Sequence, residues 1–205
     1  MTLMIRCLPL VVAIALQTPA PEAGFTSLFN GKDFTGWRVA NPEAFSIADG
    51  AIVARGTPGH AYYDGPFMNH TFRNFELKVD VMTKPGSNGG IFIMTEFQEK
   101  GWPSKGFEVQ VNNSFKADPI RTGSLYRVSD IHEAPAKDDE WFTEHIIVQG
   151  NTVTVRVNDK QVVQWSPASP TERNATRFQP GTIALQAHDP GSTVHYRNIR
   201  IKPLN

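Results

Sequence analysis

Apolar and polar residues alternate one for one along Phe75-Glu76-Leu77-Lys78-Val79-Asp80-Val81, and the pattern recurs from end to end of the chain. Period-two alternation puts one side of an extended strand into a core and the other toward solvent. The pattern returns in Phe107-Glu108-Val109-Gln110-Val111, in Thr152 to Val157, in Thr182 to His188 and in Thr193 to Ile201. Ile91 to Met94 is a continuous apolar strand, Ser124 to Val128 a short one, and Gln161 to Trp165 another. Turn chemistry joins neighbours. Ala48-Asp49-Gly50 closes a hairpin over 44–55, and Gln149-Gly150-Asn151 closes a second one beginning at His145. In the last strand the apolar parity slips between Tyr196 and Ile199, which predicts a bulge near Arg197. Residues 56–70 and 113–123 read as loops, and 167–180 as a loop with one short helical turn. No amphipathic stretch of three helical turns interrupts them. About a dozen short strands at regular spacing predict an all-β fold, a two-sheet antiparallel sandwich of jelly-roll type.

The remaining bounds are consistent with one such domain. The chain has 205 residues, enough for a single good-sized core. Formal net charge is zero, so no charge excess favours nucleic acid or an anionic membrane surface. Residues 1–23 differ from the rest: Arg6 is followed by an apolar run from Leu8 to Leu16 and then by small residues and prolines. That is the pattern of a secretory signal peptide, too short for a transmembrane anchor, with cleavage fitting either after Ala15 or near Ala23. The expectation is a secreted or periplasmic protein, with the folded domain over 24–205 and no membrane span in it. Cys7, the only cysteine, lies within the leader, so a core rather than disulfides must hold the mature chain.

Glu108, Gln110 and Asn112 stand in line on the polar side of one strand, and Gln186 and His188 on the polar side of another. A solvated face usually mixes Lys, Thr and Glu; consecutive amides are better suited to reading hydroxyl groups. If both strands share a sheet, their polar faces form one floor of acid, amides and imidazole.

Several phrases together, in order along the chain, resemble the secreted family of 3-keto-disaccharide hydrolase domains. They are Phe25-Thr26-Ser27-Leu28-Phe29-Asn30-Gly31 with Gly36-Trp37, Gly89-Gly90-Ile91-Phe92, and Phe107-Glu108-Val109-Gln110. Thr122-Gly123-Ser124-Leu125-Tyr126, Ile183-Ala184-Leu185-Gln186-Ala187-His188 and Tyr196-Arg197-Asn198-Ile199-Arg200-Ile201 complete the match. Two positions depart from the family pattern: its Asn-Ser-Gly turn reads Asn88-Gly89-Gly90, and the glycine usual after the histidine is Asp189. The resemblance implies a concanavalin A-like sandwich with a concave carbohydrate face and, as substrate, a glycoside oxidised to a ketone at C3.

A C3 ketone acidifies the C2 proton, so one base can remove it and expel the C1 substituent. Ordinary hydrolysis would need a second, paired carboxylate, and the amide-rich strand supplies only Glu108. Glu108 and His188 are read as the base and acid pair, in either order because surroundings can tune each toward neutral pH, and Arg197 as the clamp on the developing enolate. Asn88, Gln110, Tyr126 and Gln186 are assigned to the sugar hydroxyls, and Trp102 to stacking on a pyranose ring. Plainer roles compete: a Glu108–Arg197 salt bridge, a hydrogen-bonded His188 at a strand end, a Trp102 that packs its own loop. Glu108, His188 and an amide oxygen would also make a ligand set for a divalent metal ion, although no short ligand motif accompanies them. His60 and His70 could join only by folding over the face. A non-catalytic carbohydrate-binding sandwich is the alternative on the same floor. No phosphate-binding loop, nucleophile elbow or dinucleotide fingerprint is present.

Overall fold

The computed structural model describes residues 22–205; the leader expected over 1–23, with Cys7, lies outside the described residues except for its last two positions. Thirteen strands are described. They are β1 (Thr26–Ser27), β2 (Trp37–Val39), β3 (Phe45–Ala48), β4 (Ala51–Arg55), β5 (Gly59–Tyr63), β6 (Phe75–Thr83) and β7 (Gly89–Thr95). β8 (Phe107–Val111), β9 (Phe142–Gln149), β10 (Thr152–Val157), β11 (Lys160–Trp165), β12 (Thr182–Ala187) and β13 (Thr193–Pro203) follow. They form two antiparallel sheets. The larger runs β11-β10-β9-β6-β13-β4-β3, with β1 also paired to β13; the smaller runs β2-β5-β12-β7-β8. No described helix is long and apolar enough to cross a membrane.

The alternation does the work expected of it. β6 buries Phe75, Leu77, Val79 and Val81 and leaves its intervening residues half-buried. These side chains meet Ile91, Ile93, Phe107, Val109, Val111, Ile183 and Leu185 of the smaller sheet in one continuous core. Each such side chain contributes about 1.5–3 kcal/mol when fully buried, which is how the domain holds without disulfides. The bulge predicted near Arg197 is present: register between β13 and β6 shifts between Arg197 and Arg200, and Asn198 sits at a φ of 48°.

Two local expectations are corrected. Residues 59–63, read as loop, form β5, an internal strand between β2 and β12. Gly59-His60-Ala61-Tyr62-Tyr63 lacks the β-branched residues and the clean alternation that mark a strand, so its partners rather than its own propensity make it one. Ser124 to Val128, read as a strand, makes only isolated bridges, Leu125 to Val109 and Leu125 to Ser129. That segment nevertheless tracks β8: Gln110 N–H donates to Ser124 O at 3.0 Å and Tyr126 N–H to Glu108 O at 2.9 Å. Tyr126 is thereby held against Glu108.

β7 and β12 are buried along their whole length, on both faces. One face meets the core. The other, in a smaller cluster with Tyr62, Phe92 and Ala184, lies beneath Phe97 and the loop that follows it. The smaller sheet is thus roofed on its outer side, and the site lies under that roof.

Candidate active site on the covered face of the smaller sheet

Cross-strand register assembles two rows of side chains on this face. Gln186 on β12 pairs with His60 on β5, and Gly90 on β7 with Gln110 on β8; Leu185 pairs with Ile91, which makes Gln186 and Gly90 neighbours. The row therefore reads His60–Gln186–Gly90–Gln110. The adjacent row reads Tyr62–Ala184–Phe92–Glu108. Glu108 leans from the second row into the first, through the gap Gly90 leaves: a Cβ at Gly90 would overlap Glu108 Oε1. There Gln186 Nε2 donates to Glu108 Oε1 at 2.9 Å.

Polar groups in this floor are buried without partners. His60 Nε2, Gln110 Nε2, Gln186 Oε1 and, just before β7, Asn88 Oδ1 have no hydrogen-bond partner among the described residues. Leaving a buried polar atom unpaired costs about 1–3 kcal/mol, so four on one face mark a surface built to receive a polar ligand. Burial pushes the Glu108 carboxyl up to about 7, and the nearby Asp118 carboxylate adds to this; the Gln186 hydrogen bond, Arg177 and Arg127 pull it part of the way back. A carboxyl that exchanges its proton near neutrality is suited to general base catalysis. Burial holds the His60 imidazole down at about 4, so at neutral pH it is an uncharged hydrogen-bonding group.

Loops complete the enclosure. The Trp102 ring lies 5.7 Å from His60 and 5.5 Å from His188, spanning both while remaining half exposed. Gln98 shapes that loop, its Nε2 donating to Lys100 O at 2.6 Å and Trp102 O at 2.8 Å. Phe115 also approaches His188, edge-on at 5.6 Å. Asn112 organises the Phe115 loop: its Nδ2 donates to Asp118 O at 3.1 Å and Ile120 O at 2.9 Å. A cavity of about 420 Å³ opens beside His60 and Trp102, lined also by Asn41, Glu99 and Lys100.

Glu108, Gln110, Gln186, His188, Asn88 and Trp102 thus come to one side of one sheet. Tyr126 stands at its edge, donating its hydroxyl to Asp118 Oδ2 at 2.9 Å. Asn112, third in the polar line of its strand, is spent on loop structure. Arg197 is a correction. It lies on β13 in the opposite sheet, and because Tyr196 points into the core Arg197 points away from it. Its guanidinium stacks over Trp141, 3.7 Å from the ring centre. Neither the enolate clamp nor a Glu108–Arg197 bridge is formed. The cations near Glu108 are Arg177, which donates to Gly106 O at 2.6 Å, and Arg127. His60 was expected only as part of an overhanging loop and instead belongs to the sheet; His70 pairs with Asp64 at 3.7 Å on the chain beyond β5. Nothing in the local sequence marks Arg177 or Asp118 as neighbours of Glu108, since Asp118 arrives on a loop and Arg177 at the end of a short 3-10 helix, Arg173–Arg177. Among the described residues no group of three His, Cys, Asp or Glu side chains gathers as a metal cluster; Glu108 is on β8, and His188 lies one residue beyond the end of β12.

Known proteins share this architecture. A candidate glycosyl hydrolase of Parabacteroides distasonis superposes with a TM-score of 0.71 at 23% identity, covering 89% of this chain and 94% of that one. The carbohydrate-binding module CBM66 of Bacillus subtilis superposes at 0.59 with 13% identity, over 82% of this chain and 95% of that one. At these identities the likeness is one of fold. A 3-keto-disaccharide hydrolase of Bacteroides thetaiotaomicron is 27% identical over 93% of this chain and 82% of its own length. Residues 24–202, which include every strand of both sheets but the last residue of β13, match the 3-keto-alpha-glucoside-1,2-lyase-like domain, and the chain belongs to that family.

Proposed function

We propose that this protein cleaves glycosides bearing a ketone at C3, removing the C2 proton and expelling the C1 substituent. One observation carries the reading: a single carboxyl poised near neutrality lies among buried amide and imidazole atoms that have no partners among the described residues. Glu108 takes the C2 proton, and the electron pair moves to the C3 oxygen as an enolate. Gln110 Nε2, an unpaired donor in the next row, answers that charge. The enolate then re-forms the ketone, the C1–O bond breaks, and His188 gives a proton to the departing oxygen. Water adding across the resulting C1–C2 double bond gives net hydrolysis. His60, Gln186 and Asn88 serve the sugar hydroxyls, and Trp102 covers the ring. Asp118, the other carboxylate nearby, is engaged by Tyr126 and by Ile120 N–H, which favours the one-base route over paired-acid hydrolysis. The name of the Bacteroides relative and the family description support the substrate class. The leader read at 1–23 puts the reaction outside the cytoplasm, and N-terminal sequencing of exported protein tests that.

Purified protein should cleave 3-keto-disaccharides and leave the parent disaccharides untouched. In deuterium oxide the released keto sugar should carry deuterium at C2. Equal rates on oxidised and parent sugars, with no deuterium, would replace elimination by direct hydrolysis. Binding without cleavage of either would make the protein a carbohydrate-binding module.

A further inference from the structure

The turn that follows β12 is built around the His188 ring. Asp189 Oδ2 lies 2.8 Å from His188 Nδ1 and accepts the Ser192 hydroxyl at 2.6 Å, while Asp189 Oδ1 accepts Gly191 N–H at 2.9 Å. Ser192 Oγ in turn accepts the Asn88 N–H at 2.8 Å, tying the turn to the entry of β7. The Asp189 carboxylate is therefore fixed by three donors; burial pushes its pKa up, but the hydrogen bonds from Ser192, His188 and Gly191 outweigh this and hold it below the ordinary value. An ionised carboxylate only accepts, so His188 Nδ1 must carry a proton. Nε2, across the ring, is then the nitrogen free to gain or lose one. Trp102 and Phe115 both pack against the ring.

We propose that Asp189 is a positioning residue, holding His188 in the tautomer protonated at Nδ1 so that Nε2 alone exchanges a proton with the ligand. Asp189 is also where the sequence departs from the glycine of the family pattern, so this support belongs to the present chain. The catalytic consequence rests on the proposed lyase reading, whereas the tautomer does not. With Nδ1 committed, the proton delivered to the leaving oxygen comes from Nε2, and the imidazole left behind is already in its hydrogen-bonded neutral form. Without Asp189 the ring can rotate or change tautomer, and the proton-bearing nitrogen no longer has one position.

Nitrogen-15 NMR of the full chain, with His188 assigned by loss of its signals in H188Q, reads the tautomer directly. Wild-type protein with a neutral His188 ring should show Nδ1 protonated and Nε2 bare; the reverse overturns the proposal. D189N and D189A should give a mixed or inverted tautomer, and D189E, which keeps the carboxylate, should restore the wild-type form in part. On a 3-keto-disaccharide, kcat should fall roughly ten- to a hundredfold in D189N, with KM within about twofold. Unchanged tautomer or unchanged kcat in a folded D189N protein also overturns it. If wild-type protein turns over no 3-keto-glycoside, the lyase reading fails while the spectra still decide the role of Asp189.

Discussion

Replacing Glu108 with glutamine should stabilise the protein while removing its activity, and the size of the gain follows from the buried carboxyl. Glu108 has a folded-state pKa of about 7 against an ordinary value of 4.5. Below pH 4.5 the group is neutral in both states and costs nothing. Between 4.5 and 7 the unfolded chain ionises while the folded chain resists, so stability declines as pH rises. Above 7 both states are ionised and the full penalty is in force. The difference between about 7 and 4.5, at 1.36 kcal/mol per pH unit, amounts to about 3 kcal/mol. Glutamine keeps an oxygen to accept from Gln186 and fits the gap at Gly90 without a charge. Wild type and E108Q should therefore be nearly equal at pH 4 and diverge toward about 3 kcal/mol at pH 8, or roughly 6–12 °C in Tm for a domain of this size. Urea unfolding of both proteins at pH 4, 6 and 8 measures the difference, and subtracting one curve from the other cancels every other titrating group. Parallel curves over that range would refute the burial argument. A less stable E108Q at pH 8 would mean that the ionised carboxylate is a structural partner rather than a strained base. Cleavage of 3-keto-disaccharide by E108Q should fall at least about a hundredfold.

Glu144 offers a second pH effect, from inside the sandwich. It is fully buried on β9, burial holds its pKa well above the usual range, and neither oxygen has a partner among the described residues; the nearby Gly123 N–H is committed to Gln110 O. E144L should be more stable than wild type above neutrality by about 1–4 kcal/mol, with the gain shrinking as pH falls; denaturant melts at pH 5 and 9 check this. R197A should retain activity within about twofold, because its side chain lies on the far face of the other sheet, and should lose about 0.5–2 kcal/mol of stacking on Trp141. A large kcat loss there would mean that the catalytic face is misassigned. W102A should raise KM for a 3-keto-disaccharide roughly tenfold, equivalent to about 1.4 kcal/mol, while its melting temperature stays near that of wild type because the ring is half exposed.

Much of this was legible in the sequence because strand alternation is a local code. Phe107 to Val111 and Thr182 to His188 announced which side chains would face the core, and so which polar groups would share the outer face. Glu108, Gln110, Gln186 and His188 followed from parity alone, given that their strands joined the same sheet. The bulge near Arg197 was readable for the same reason, as a break in that parity.

Parity says nothing about which sheet a strand joins, and that is where sequence reading of Arg197 went astray. β13 pairs with β4 and β6, so its outward residues face the opposite side of the sandwich from Glu108. His60 was hidden because glycine and histidine disguise an internal strand, whose pairing to β12 is made across more than 120 intervening residues. Asp118, Phe115 and Trp102 approach on loops, and Arg177 on a single 3-10 turn, whose paths no periodicity encodes. The sequence by itself determined an all-β sandwich and the facing of the strands that alternate cleanly, since both depend on the two-residue repeat of the backbone. Only the tertiary structure decided which faces meet, which groups lose their water, and therefore that Glu108 holds its proton until about pH 7, because desolvation is a property of the enclosure rather than of the residue.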